Sequence, residues 1–192
     1  MPVSLSKGQS VSLTKDNPSL SKVFAGLGWD QRDTDGAEFD LDASAFLIGE
    51  DGKVFEQPGA VGFFNPQAAG GAVAYGGDNR TGEGDGDDEV VNVDLQSLPE
   101  AVQKVVITVT IHEAEKRNQN FGGIENSFVR VVNEANGEEL VRYDLREDYD
   151  IETAMIMGEF YRHDGGWKFR AIGQGFNDGL EGLANKFGMQ VG

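Results

Sequence analysis

Short apolar runs that alternate with polar residues recur along most of this chain of 192 residues, and clusters of Gly, Asn and Asp separate them. Alternation with a period of two is the pattern of half-buried β-strands, and those three residue types favour tight turns. Residues 105–111, which are almost all Val, Ile and Thr, form the clearest predicted strand. The pattern therefore predicts an all-β protein, and the 27 glycines are consistent with many turns.

Most of the predicted strands are joined to their sequence neighbours, which is the connectivity of an antiparallel β-sandwich of about ten strands. Hairpin turns are predicted at residues 49–52, 136–137 and 164–166, and two short strands flank a turn at residues 7–9. A strand and a long loop are predicted within residues 59–77. The other strands are predicted at residues 3–5, 11–13, 23–29, 39–48, 53–55, 90–95, 105–111, 128–132, 140–145, 154–161 and 167–173.

Helix is expected in two short places only. Residues 98–103 suit one helical turn, with Pro99 at the first helical position. A C-terminal helix is predicted from apolar residues at helical spacing, with Gly188 to end it; these are Phe176, Leu180, Leu183, Ala184 and Phe187. We expect this helix to pack on the sandwich. No linker divides the chain, so residues 1–192 are predicted to form a single domain.

The charge balance restricts the class of partner. Asp and Glu total 33 against 16 Lys and Arg, a formal net charge of −17. Nucleic acid is therefore not expected as a partner, because affinity for phosphates comes mostly from Lys and Arg, and adsorption to anionic membranes is disfavoured. There is no cysteine, and neither a signal peptide nor a membrane span is recognisable. A cytoplasmic protein is expected.

The most informative stretch is residues 77–89, which read GDNRTGEGDGDDE. Carboxylates packed this closely repel one another in a folded chain, and the interleaved glycines add a cost in backbone entropy. A divalent cation would offset both. Calcium suits the stretch best, because it takes about 6–8 oxygen ligands in flexible geometry, whereas zinc prefers His and Cys. The alternative is a solvated acidic tract with no ligand.

This stretch is not an EF-hand, although Asp78 and Glu89 occupy the first and twelfth positions of such a loop. The third position is Arg80 and the fifth is Gly82, where an EF-hand requires Asp or Asn. The sixth is Glu83, where an EF-hand requires Gly. No helix is predicted on either side.

A second acidic cluster lies within residues 29–42. On a strand, Phe39 and Leu41 would point to one face and Asp40 and Asp42 to the other. Two carboxylates on one face suit a cation, and an ordinary solvated strand face remains the alternative. Loops at one end of a sandwich converge, so the two clusters can contribute to a joint site.

Residues 26–30 (GLGWD), 35–36 (DG), 39–46 (FDLDASAF) and the acidic stretch 77–89 together resemble the TerD family. The resemblance extends over essentially the whole chain, and further matching segments are residues 109–112, 143–145, 152–155, 158–163 and 167–175.

The resemblance implies a β-sandwich that binds calcium in its acidic loops and that is linked to tellurite resistance and bacterial stress responses. Carried over by position, it places these residues in the metal site: Asp30, Asp40, Asp42, Asp78, Asn79, Asp85, Asp87, Asp88 and Glu89. Gly82 and Gly84 can contribute backbone carbonyls.

Three functions are weighed on this basis. The first is a calcium-dependent sensor or scaffold whose partners are other stress-response proteins, with no enzymatic activity. The second is a metal-dependent hydrolase with His112 or His163 as general base, but no triad or nucleophile elbow accompanies them. The third is membrane binding through calcium, which is ranked below scaffolding because the loops show no apolar tip beyond Phe39. Four arginines on predicted strands are expected to pair with the excess acids: Arg130, Arg142, Arg162 and Arg170.

Overall fold

The computed structural model describes residues 2–31, 39–78, 87–146 and 151–189. These ranges contain thirteen strands and two short α-helices. The strands are β1 (Val3–Leu5), β2 (Ser10–Ser12), β3 (Lys22–Gln31), β4 (Leu41–Ile48), β5 (Ala60–Val61), β6 (Gln67–Ala68), β7 (Val73–Asp78), β8 (Glu89–Asp94), β9 (Lys104–Ile111), β10 (Ile124–Asn133), β11 (Glu138–Asp144), β12 (Ala154–His163) and β13 (Gly166–Phe176). The helices are α1 (Ala114–Arg117) and α2 (Gly179–Lys186).

The strands form two sheets, and all described strand pairs are antiparallel except β1 with β11. Sheet A has the order β1-β11-β10-β3-β8-β7-β6, and sheet B has the order β2-β13-β12-β9-β4-β5. The predicted all-β, mainly antiparallel architecture is confirmed. The strands beyond the expected ten include β5 and β6, which have two residues each and carry too little pattern to be recognised.

The core lies between the two sheets. In β8 the buried positions are Glu89, Val91 and Val93, and the positions between them are half-buried, as expected of a strand with one face toward the core. Strand β9 is different, because every residue from 105 to 111 is buried. It is central in sheet B, and α2 covers part of the outer face of that sheet. This double burial explains why 105–111 is nearly continuous in Val, Ile and Thr.

The predicted C-terminal helix is confirmed as α2, and it packs on the outer face of sheet B. The ring of Phe187 lies 5.1 Å from that of Phe46 on β4. Leu183 and Ala184 are fully buried in the same cluster. Gly188 follows with φ of +69°, a conformation that favours glycine, and ends the helix.

Two local predictions were wrong, and a third is confirmed. The turn at residues 7–9 is formed, with the Gln9 N–H donating to the Ser6 carbonyl at 2.9 Å, and the strands on its two sides belong to different sheets, β1 to sheet A and β2 to sheet B. Residues 98–103 form turns rather than helix. Residues 53–55 make a single bridge to β4, from Val54 to Ile48, and the strands that pair with β4 are β9 and β5. Each error concerns a short segment whose partner is chosen by tertiary packing.

The turns predicted at 136–137 and 164–166 are confirmed, since β10 pairs with β11 and β12 with β13 around them. The turn at 49–52 is also formed, with the Gly49 N–H donating to the Lys53 carbonyl at 2.8 Å. Helix α1 was not predicted. Within the described ranges, no helix is long and apolar enough to cross a membrane.

Candidate metal site

The strands that lead into and out of the two acidic stretches meet at the same end of the sandwich, which is called the acidic end here. It comprises the strand termini at Gln31, Leu41, Asp78, Glu89, Ile111, Ile124 and Ala154, with the described residues next to them. The register fixes this arrangement through the pairs Leu27 with Glu89, Asp78 with Glu89, Ile124 with Gln31, Leu41 with Ile111, and Ala154 with Thr110. The fold therefore brings the described residues of both predicted acidic clusters to one end.

The predicted metal residues divide into two groups. Asn79, Gly82, Gly84 and Asp85 lie outside the described residues. For Asp78 the structure describes only the backbone, which ends β7 opposite Glu89. The side chains that the structure does place at the acidic end are Asp30, Asp40, Asp42, Asp87, Asp88 and Glu89.

Asp88 is fastened to the end of β3. Its carboxylate oxygen Oδ2 accepts a hydrogen bond from the Trp29 N–H at 3.0 Å, and its own N–H donates to the Leu27 carbonyl at 2.7 Å. Burial raises the pKa of Asp88, the bond from Trp29 opposes that rise, and the negative charges of Asp30 and Asp87 add to it. Asp88 therefore lies close to the negative charges of both Asp30 and Asp87.

Asp87 is neutralised by an arginine from another strand. Arg130 on β10 donates from Nε and Nη2 to the two carboxylate oxygens, both at 2.8 Å. The Asp87 side chain is 5% exposed and that of Arg130 is 27% exposed. The bonds to Asp87 raise the pKa of Arg130. This two-pronged geometry is the strongest form of carboxylate pairing.

Two glycines on β3 make room for this pairing on the outer face of sheet A. A Cβ at Gly26 would overlap the Asp87 carboxyl carbon, at 2.2 Å, and a Cβ at Gly28 would overlap the Phe128 ring, at 2.4 Å. The aromatic ring and the carboxylate thus lie directly over the glycine backbone. The GLG sequence of residues 26–28 is explained by this close approach, with Leu27 buried on the opposite face.

The Arg130 guanidinium is one member of a charged network on the outer face of sheet A. Arg130 and Arg142 are directly opposite each other in the register, and Glu139 lies between them, 3.7 Å from one and 3.8 Å from the other. Arg142 also donates to Asp144 at 3.0 Å and lies 4.1 Å above the Phe128 ring. The expected pairing with excess acids is therefore confirmed for these two arginines.

The other two arginines on predicted strands differ. Arg170 lies 3.5 Å from Glu159 on sheet B and is paired as expected. The prediction was wrong for Arg162, which donates to the backbone carbonyls of Leu98, Pro99 and Val102. Because these carbonyls follow the turn at the end of β8, Arg162 stabilises that turn instead of neutralising an acid.

Glu89 faces the space between the sheets and is only 2% exposed. It accepts a hydrogen bond from the Tyr75 hydroxyl at 2.5 Å. Asp40 and Asp42 are on the other sheet. The Asp40 carbonyl accepts from the His112 N–H at 2.7 Å, and the Asp42 carboxylate is 3.9 Å from His112 Nδ1. These residues border the acidic end on both sheets.

The donors at the acidic end fit calcium in type. They are carboxylates and backbone carbonyls, which are the hard oxygen ligands that calcium prefers. Among the described residues, no group of three or more His, Cys, Asp and Glu side chains is arranged to hold an ion. A full coordination shell would therefore need oxygens from residues 79–86 in addition to those of Asp30 and Asp88.

The main partners of these acids are distant in sequence, and the sequence did not identify which residue pairs with which acid. Arg130 is 43 positions from Asp87. Asn126 donates to Asp30 at 2.9 Å and is 96 positions from Asp30. Tyr75 was also missed. The only local signal was the spacing of Gly26 and Gly28 on one face of β3, which marks a surface that other side chains approach closely.

One cavity lies away from the acidic end. A groove of about 680 Å³ runs beside α2 on the outer face of sheet B. Its floor includes Val106, Ile156 and Ile172, and Lys104 and Lys186 are among its polar lining residues. None of the predicted metal residues that the structure describes lines it.

Asp88→Asn is expected to stabilise the cation-free protein slightly at neutral pH. Because the pKa of Asp88 is raised on folding, its ionised form opposes folding, and that penalty is lost as the pH falls through the folded-state pKa. The amide oxygen of Asn can still accept from Trp29. The urea midpoint of the variant should exceed that of the wild type at pH 7, and the two should converge in acid. Asp164→Asn, at a position 90% exposed, is the control and should show no such difference.

Comparison with known proteins gives consistent results over nearly the whole chain. The family model described as TerD domain matches residues 1–187. General stress protein 16U of Bacillus subtilis (strain 168) is 54% identical over 194 residues, and tellurium resistance protein TerD of Serratia marcescens is 51% identical over 191 residues; both alignments cover 100% of each chain. A solved structure, a homologue of the telluride resistance protein TerD from Streptomyces coelicolor A3(2), has a TM-score of 0.66 and 25% identity, and covers 86% of this chain and 96% of that one.

Proposed function

This chain belongs to the TerD domain family of tellurium-resistance and general stress-response proteins, and from that membership we propose that it is a calcium-binding stress-response protein. It acts as a calcium-dependent sensor or scaffold through the acidic end, and it is not an enzyme. Its partners are other stress-response proteins, and it does not bind nucleic acid. The cytoplasmic location expected from the sequence stays a prediction.

The observation that supports the proposal is that Asp30, Asp87 and Asp88 lie together at the acidic end, where burial raises the pKa of Asp88 and the charges of the other two add to that rise. The fold holds their charges close enough for two of them to raise the pKa of the third, although a chain can avoid such a cost by placing the acids apart. One of the three already needs Arg130 as a counter-charge. A divalent cation that binds the remaining oxygens relieves the repulsion, and the free energy of that relief favours binding.

A scaffold function is favoured over hydrolysis by the position of the two histidines. His112 follows β9 at the acidic end, whereas His163 ends β12 at the opposite end of the sandwich. They do not contribute to one site. His163 is 54% exposed and pairs with Asp164 in the adjacent turn, at 3.2 Å. Among the residues that the structure describes, neither histidine has the partners of a general base aimed at a nucleophile.

The test is calorimetric titration of calcium into chelator-stripped protein, with magnesium as the competing ion. We expect saturable calcium heat, little magnesium heat, and a melting temperature that rises with calcium because an ion that prefers the folded state stabilises it. The paired variant Asp78→Asn with Asp88→Asn should lose most of the calcium heat.

The matched control is Asp51→Asn with Asp164→Asn, which removes the same charge from turns at the opposite end of the sandwich. It should bind calcium as the wild type does. If both paired variants lose the same calcium heat, the loss comes from the change in net charge and not from a site at the acidic end. No saturable heat in the wild type would overturn the proposal.

A further inference from the structure

Four large apolar side chains are markedly exposed in the described residues, and three of them lie at the acidic end. They are Phe63, 55% exposed, Phe64, 37% exposed, and Ile151, 61% exposed. The fourth, Val3, is 43% exposed and lies on the edge strand of sheet A. Exposed large apolar side chains grouped beside charged loops are a feature of interaction surfaces.

Contacts with the strand termini fix the positions of Phe63 and Ile151. The Phe63 ring is 6.3 Å from the His112 ring and at 87° to it. Ile151 precedes Glu152 and Thr153, whose carbonyls accept from the N–H groups of Phe121 and Ile111 respectively. Both apolar residues therefore border the region that contains the predicted metal residues.

The sequence had suggested that Phe39 was the only apolar tip near the acids. The structure gives Phe39 a different role, because it is half-buried, packs against the core and lies over Gly123. Phe63 and Phe64 come instead from the connection between β5 and β6. Exposed apolar side chains other than Phe39 are therefore present beside the acids, as membrane binding requires.

The exposed area decides between a protein and a lipid surface. A Phe side chain presents about 150–250 Å², so at the observed exposed fractions the three side chains present on the order of 300 Å². A stable protein interface buries about 800 Å² on each partner. A bilayer needs no complementary shape, since single aromatic side chains enter between lipid headgroups one at a time.

Charge adds a second condition. With a net charge of −17, the protein is repelled by an anionic membrane. A few apolar side chains give only marginal membrane binding, so stable attachment takes a second signal. Calcium held by the acidic loops would supply it, because the ion attracts lipid phosphate and carboxylate oxygens while neutralising the protein's own acids.

We propose that the acidic end docks on anionic phospholipid membranes when calcium is bound, with Phe63, Phe64 and Ile151 entering the lipid interface. This inference rests on the proposed calcium site. It gives that site a partner of defined chemistry, a bilayer that carries negatively charged headgroups, and it makes attachment depend on calcium and anionic lipid together.

The experiment is co-sedimentation with vesicles of phosphatidylcholine alone or mixed with phosphatidylserine, with calcium or with chelator. Sedimentation is expected only with phosphatidylserine and calcium together. The variant Phe63→Ala with Ile151→Ala should lose about tenfold or more in vesicle affinity, because two exposed apolar side chains are removed. Val3→Ala is the matched control and should sediment as the wild type does.

Calorimetry on the same proteins separates the two proposals. The proposal of docking is supported if the double variant Phe63→Ala with Ile151→Ala sediments less with vesicles but keeps the calcium heat of the wild type. Normal calcium heat without wild-type sedimentation overturns docking and leaves the calcium site standing. Absence of calcium heat overturns both. Calcium-dependent self-association that Phe63→Ala abolishes, without lipid binding, would make this surface a protein interface and overturn the lipid proposal. As an independent measure of insertion, Phe63→Trp should show a blue shift of fluorescence with phosphatidylserine vesicles and calcium, larger than that of the wild type, which has Trp29 and Trp167.

Discussion

Replacement of Arg130 by Met is expected to lower the free energy of unfolding by about 3 kcal/mol at neutral pH. The change leaves the Asp87 carboxylate, whose side chain is 5% exposed, without its two charge-assisted hydrogen bonds. The loss falls at the lower end of the range for broken buried pairs, because Arg130 itself is 27% exposed and water can reach part of the site. Urea denaturation measures the effect as a shift in midpoint with an unchanged slope.

Arg142→Met is the matched control. It removes an arginine from the same face of the same sheet, but its partner Asp144 is 41% exposed, and the expected loss is below about 1 kcal/mol. If the two variants lose the same free energy of unfolding, the Asp87–Arg130 pair contributes no more to stability than an exposed pair does. Calcium should stabilise the Arg130→Met protein more than the wild type, because the ion takes the place of the missing positive charge.

Gly26→Ala is expected to destabilise the protein by about 2–4 kcal/mol. In an ordinary strand this change would be mildly stabilising, because Gly loses more backbone entropy on folding. Here the new Cβ would overlap the Asp87 carboxylate, so Asp87 must move away and lose its geometry with Arg130. The sign of the effect is therefore opposite to the propensity expectation.

A double-mutant cycle tests that reason. In an Asp87→Ala background the space above residue 26 is free, and Gly26→Ala should be neutral or slightly stabilising. The shift in urea midpoint that Gly26→Ala causes is measured in the wild-type and in the Asp87→Ala background, and the difference between the two shifts gives the coupling between residues 26 and 87. Equal destabilisation in both backgrounds would mean that the added methyl group disturbs β3 itself, independently of Asp87.

Arg130 links the acidic end to the outer face of sheet A. Arg130 contacts Asp87 on one side and Glu139 on the other, and Glu139 contacts Arg142. A cation that draws on Asp87 changes the charge balance of this network. The outer faces of β10 and β11 are then a place where calcium binding can be detected, for example by chemical shifts of the Arg130 and Arg142 side chains.

Features that depend on neighbouring residues were predictable from the sequence. The period of two located the long strands, and turn chemistry at residues 136–137 and 164–166 gave two correct hairpins. Helical spacing after residue 176 located α2. Alternation also put Leu41 in the core and left Asp40 and Asp42 at the edge of the acidic end.

Features that depend on distant partners were not predictable. β1 and β2 are adjacent in sequence but belong to different sheets, and β1 contributes only three residues to its pairing with β11, so local pattern cannot identify its neighbour. Phe63 and Ile151, 88 positions apart by their numbers in the chain, reach the same end only through the order of the strands.

The sequence by itself determined the β architecture, the acidic composition of two stretches and the type of ion that such oxygens prefer, because strand period, turn propensity and ligand chemistry are local properties. Only the tertiary structure decided that Asp87 pairs with Arg130, that Glu89 is buried against Tyr75, and that Phe63 rather than Phe39 is exposed beside the acids. These outcomes follow from which strands become neighbours and which faces meet, and long-range packing sets both.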